Sequence, residues 1–170
     1  VYTKQTPKSS IVTTVACLEA VLFCTNRELT NQETEFLNRG ANYLVRQKLF
    51  RKISSGEIID PDWLEIRFPR FYAYDFFRGF YFLARWQKQS GFAIPKELVQ
   101  EVENLVVKQM TPKGIELKRY NFFDRRSYNP TPDSNWSWGD ASEIELMKLV
   151  SFNGSICKPL TDKWFEIKNQ

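Results

Sequence analysis

An all-α fold of repeated αα-hairpins is what the sequence predicts, on three observations. Five segments carry helical periodicity. They alternate between helices apolar on most sides and helices apolar on one face only. The three mostly apolar segments begin near residues 10, 71 and 136, at steps of roughly equal length. An alternation of this kind marks stacked αα-hairpins with one layer of helices inside and one outside.

The first helix is predicted from about Ser10 to Thr25. Ile11, Val12, Val15, Ala16, Leu18, Val21, Leu22 and Phe23 surround it, with Glu19 as its one charge, so it is expected to be buried on most faces. Thr30 and Glu33 form a capping box before the second helix, Asn31 to Phe50, which is amphipathic. A linker follows, with the Ser54-Ser55-Gly56 turn and Pro61 and Pro69 near its ends. The third helix is predicted from Phe71 to Gln87, dense in aromatics and stopped by Ser90-Gly91. Pro95 opens the fourth, to about Met110, with Leu98, Val99, Val102, Leu105 and Val106 on one face.

Gly114 to Trp138 reads as irregular, with a short extended piece at Ile115 to Lys118. Asn129 to Asp133 is too proline-rich for helix. The fifth helix is predicted from Trp138 to Phe152, and a tail over residues 158–170 docks through Trp164, Phe165 and Ile167. The chain of 170 residues fits one domain, 1–170, whole or a fragment of something longer.

Composition excludes several chemistries. The chain holds no histidine, so Ser-His-Asp and Cys-His catalysis and His-containing zinc sites cannot be built from it alone. Lys and Arg total 24 against 20 Asp and Glu, a net +4 without a basic stripe, so nucleic-acid binding is not expected. The three cysteines match no metal or redox spacing. Cys17 and Cys24, seven apart on one helix, would lie ~10 Å apart, too far for a disulfide. Buried, reduced thiols in a cytoplasmic protein are the expectation. No apolar run reaches the roughly 20 residues of a membrane span. No metal or cofactor is predicted.

Several stretches together carry a resemblance. They are Lys8 to Ala20 (KSSIVTTVACLEA), Gly40 to Arg51 (GANYLVRQKLFR), Gly56 to Asp60, Phe68-Pro69, Tyr74-Asp75 with Arg78, and Lys113-Gly114 before Ile115. In order and spacing they resemble the C-terminal half of uncharacterised bacterial proteins with prenyltransferase/squalene-oxidase repeats. Those proteins look like a branch of the terpenoid cyclase and protein prenyltransferase superfamily. The resemblance covers about residues 8 to 152 and implies an α/α-toroid, here a partial one. Lys8 and Gln47 stand where the group has histidine, and Ser134 to Trp138 departs from its Ser-Arg-Trp-Asn-Thr run. The acidic run of the cyclases and the zinc set of the prenyltransferases are both missing.

On a wheel of the third helix, Tyr74, Asp75, Arg78, Tyr81, Phe82 and Arg85 share one sector. In a toroid that sector would face the cavity and hold an apolar ligand with an anionic head. The structural alternative, which we weight more heavily, is an Asp75–Arg78 pair that pins inner helices. Glu19 reads either as an acid catalyst or, more economically, as the partner of an arginine, Arg46 or Arg78. Of the 26 aromatic residues, 11 fall between Trp63 and Trp86, where core packing is the commoner use. Trp136 and Trp138, beside a proline-rich loop, are better placed to meet a ligand. One ligand pocket is therefore predicted, lined by Tyr74, Asp75, Arg78, Trp136 and Trp138. No residue is assigned as catalytic beyond the weak candidates Asp75 and Glu19.

The expected role is a non-catalytic binding or scaffold module with an aromatic concavity for an apolar, isoprenoid-like small molecule. The alternative is a terpenoid-cyclase-like or prenyl-transferring enzyme, or half of one. A third reading has the open ends of the array driving self-association or docking to the rest of a longer chain.

Overall fold

The computed structural model describes residues 10–70, 73–118, 126–140 and 154–169. Five α-helices lie in these spans: α1 (Ile11–Cys24), α2 (Asn31–Arg46), α3 (Phe76–Ser90), α4 (Lys96–Val107) and α5 (Lys158–Lys168). Two antiparallel hairpins accompany them: β1 (Met110–Thr111) with β2 (Gly114–Ile115), and β3 (Arg126–Pro130) with β4 (Trp136–Asp140). The predicted all-α array of αα-hairpins, the partial toroid, is therefore corrected to a mixed helical and β architecture. The third buried helix was expected to begin at Trp138, yet Trp138 lies within β4, paired with Tyr128. Residues 141–152 of that expected helix lie outside the described residues.

The reason is legible in the chain. Tyr128-Asn-Pro130 and Trp136-Ser-Trp138 alternate large and small side chains with the period of a strand. Thr131 to Asn135 closes the turn between them: the Thr131 amide donates to the Asn135 carbonyl at 2.8 Å, and Ser134 takes φ 63°. Near the chain end, Glu116 bridges Ile156 in antiparallel fashion, and Thr161 Oγ1 accepts the Ile115 amide at 2.9 Å. These contacts seat α5 beside β2.

α3 is the hub and contacts α1, α2, α4 and α5. It starts at Phe76, five residues later than its aromatic run suggests, because Asp75 caps it. Phe76, Phe77, Phe80, Phe82, Leu83, Ala84 and Trp86 are buried, while Arg78, Tyr81 and Arg85 are half-buried along one side. Gly91, at φ 74°, closes it in the left-handed conformation that a glycine adopts without steric cost. Trp86 Nε1 donates to Asn38 Oδ1 at 3.0 Å and joins α3 to α2.

α1 buries one stripe, Ile11, Val15, Leu18 and Leu22, against α2 and α3. Its opposite side, including Ala16, Cys17, Ala20, Phe23 and Cys24, is exposed, which corrects the expectation of burial on most faces. It also corrects the cysteines: Cys17 and Cys24 are exposed and only Cys157 is buried. Leu18 contacts Gly40 of α2 so closely that a side chain at position 40 would collide with it.

α2 begins on the predicted capping box, with the Thr30 hydroxyl accepting the Glu33 amide and Glu33 Oε2 accepting the Thr30 amide at 2.8 Å. Arg27 also grips Glu33 through both terminal nitrogens, at 2.7 and 2.9 Å. Arg27 first, then the Thr30 donors, hold the Glu33 carboxyl down at about 2 from its ordinary 4.5. A carboxyl depressed by folding stabilises the native state above its unfolded pKa and loses that contribution as pH falls. Wild type should therefore melt above Glu33→Gln at pH 6. The difference should shrink between pH 4.5 and 2 and vanish near pH 2, as followed by circular dichroism. A difference independent of pH would remove the ion pair from the account.

Among the described residues, no helix is long and apolar enough to cross a membrane.

Candidate functional site

The chain from Ile66 to Arg78 builds a buried polar junction. Asp75, wholly inaccessible, receives three donors from three parts of this segment. Its Oδ1 accepts the Arg78 amide at 2.8 Å, which caps α3. Its Oδ2 accepts the Arg67 amide at 3.1 Å and Arg70 Nε at 2.9 Å. The Arg78 side chain does not pair with Asp75, as the spacing suggested. It reaches Glu19 of α1, with Nε at 2.8 Å and Nη2 at 2.5 Å from Oε2, while Nη1 donates to the Ala73 carbonyl. Arg78 is thus the partner of Glu19.

Tyr74 precedes α3 rather than lying on it. Its hydroxyl donates to the Leu49 carbonyl at 2.8 Å. That bond ties down a turn in which Lys48 and Leu49 both have positive φ, 43° and 68°, a conformation costing about 1–3 kcal/mol per residue. Burial, and next the Asp75 charge, push the Tyr74 phenol well above its ordinary value, so it stays a donor. Gly79 leaves room for this hydroxyl, since a Cβ there would stand 2.5 Å from the Tyr74 oxygen.

The structure thus brings Tyr74, Asp75, Arg78 and Glu19 together, each engaged in a hydrogen bond or ion pair with its neighbours. Trp136 and Trp138 stand elsewhere, on the β3–β4 hairpin. Trp136 pairs with Pro130 and Trp138 with Tyr128, so all four project from the same side of the ribbon. The Tyr128 and Trp138 rings meet edge to face at 4.9 Å. Trp136 is 67% exposed, Tyr128 63% and Trp138 48%.

A concavity lies instead between α3, α4 and α5, with a volume of about 490 Å³. Phe80, Ala84, Ile94, Val99, Trp164 and Ile167 give it an apolar lining, and none of the five predicted ligand-binding residues lines it. Gln87, Lys88, Glu103, Lys168 and Asn169 form its polar edge. Lys168 is held to Glu103 at 2.5 Å, while Lys88, on the last turn of α3, makes no ion pair among the described residues. Sequence reasoning missed this groove. Its signal was present in the apolar face of α4 and in Trp164, taken as a docking residue of the tail.

Both weak catalytic candidates are engaged: Glu19 in an ion pair with Arg78, and Asp75 with two backbone amides and Arg70. A general acid must present its proton to a substrate, and neither carboxylate faces the groove. Among the described residues, no three Cys, Asp or Glu side chains converge as metal ligands would.

No protein-family model matches the chain, and no curated protein or solved structure is significantly similar to it.

Proposed function

We propose that this protein is a non-catalytic binding module whose ligand is an apolar, isoprenoid-like small molecule held in the α3–α4–α5 groove. The groove is the observation that carries the reading: an aromatic and aliphatic lining from three helices, with the ammonium groups of Lys88 and Lys168 at its edge. Apolar pockets with a few placed polar groups are the usual form of small-molecule sites, and the volume lies within their usual range. An alkyl or prenyl chain would lie along Phe80, Val99 and Trp164, with its polar end toward Lys88. The commitment of Glu19 and Asp75 to the interior supports binding over cyclase-like catalysis.

Equilibrium dialysis with farnesol tests this. Saturable binding is expected for wild type. Val99→Trp, which fills the groove, should weaken it at least 10-fold, and Trp136→Ala should leave it unchanged. Loss of binding in Trp136→Ala with retention in Val99→Trp would move the site to the hairpin and overturn the groove reading. No saturable binding to wild type would overturn the choice of ligand class.

A further inference from the structure

The seam along α3 that faces α1 and α5 carries four cations against three carboxylates. Arg78 is matched by Glu19, Arg85 by Glu166, and the Nε of Arg70 by Asp75. One positive charge is left over, and two donor groups stand out. Arg70 Nη2 is buried and has no acceptor among the described residues. Lys163 of α5 is half-buried with its Nζ over the face of Tyr81, 4.6 Å from the ring centre, and makes no ion pair among the described residues.

The two belong to one neighbourhood. The Arg70 guanidinium lies over Phe77, 5.4 Å from the ring centre, and Lys163 over Tyr81, one helical turn further along the same face of α3. Burial lowers the Lys163 ammonium from its ordinary value, and the next largest influence is the Arg70 charge, ahead of Glu19 and Glu166. A buried guanidinium N–H with no acceptor, near a half-buried ammonium with no ion pair among the described residues, is costly as it stands. A planar guanidinium edge beside an ammonium is a combination that suits oxyanions.

We propose that Arg70 and Lys163 form a binding site for a small oxyanion, a phosphate or a carboxylate, at the α3–α5 seam. It would accept the free Nη2 of Arg70 and the Nζ of Lys163, complete the charge balance of the seam and fasten α5 to the start of α3. This site is separate from the groove and does not depend on it. The groove lies toward the C-terminal end of α3, through Phe80, Ala84 and Lys88, and Arg70 and Lys163 do not line it.

The test is thermal melting and calorimetric titration of the full chain with inorganic phosphate, and in a second arm with acetate, each against sodium chloride at matched ionic strength. Phosphate at 10 mM should raise the melting temperature by about 3–5 °C, as expected for a millimolar ligand of a chain this size. Lys163→Met keeps the aliphatic stem over Tyr81 and should abolish the shift. Lys158→Met removes the same charge from the exposed end of α5 and should keep it. A saturable response to acetate alone would assign the site to carboxylates. A shift that survives Lys163→Met, or is lost equally in Lys158→Met, would overturn the proposal. So would the absence of saturable binding to wild type in both arms, whatever the variants do.

Discussion

Asp75→Asn should cost about 3–5 kcal/mol of unfolding free energy, the range for removing one partner from a buried charge pair. The asparagine keeps the volume, but it replaces one acceptor oxygen by a donor and leaves Arg70 uncompensated. Whichever way the amide turns, it sets an N–H against the donors of Arg67 and Arg70 or against the Arg78 amide. Urea unfolding followed by circular dichroism reads the effect directly. A loss under 1 kcal/mol would mean that Asp75 does not hold the junction. The carboxylate would then be free for another task, and the argument against catalysis would lose its main support.

Trp86→Ala is the second large expected effect, about 3–5 kcal/mol. The indole is 1% exposed and fills the contact between α3 and α2. Trp86→Phe separates its two contributions: most of the packing stays while the bond to Asn38 goes, for about 1–2 kcal/mol. Equal losses in the two variants would place the energy in the hydrogen bond instead of the ring.

The amphipathic helices were the legible part. α2 announces itself by Thr30 and Glu33, and α4 by Pro95 followed by apolar positions on one face. The start of α3 was harder to place, because Phe71, Tyr72, Tyr74, Phe76 and Phe77 give the hydrophobic pattern no phase. The informative residue was Asp75, whose side chain is worth more as a cap than inside a helix. The β3–β4 hairpin was obscured for another reason. Its prolines and asparagines read as loop, and its tryptophans read as the start of a buried helix, although their alternation is that of a strand. In the candidate site, the Glu19–Arg78 pair was one of the partnerships named from sequence. The donors from Arg67 and Arg70 were not, because the linker's backbone path cannot be derived from spacing. The groove depends on three helices meeting, and only the docked position of α5 creates it.

The exposed hairpin divides the chain's five tryptophans into two optical classes. Trp86 and Trp164 are screened from water, and Trp63 lies half-buried with its ring against Tyr74. Trp136 and Trp138 look outward from a two-stranded ribbon. Ultraviolet emission from this molecule is therefore a superposition: a blue-shifted component set by the helical interior, and a red-shifted one set by solvent at the hairpin. The two report on different events, the first on integrity of the core and the second on whatever comes to cover the aromatic side of the ribbon.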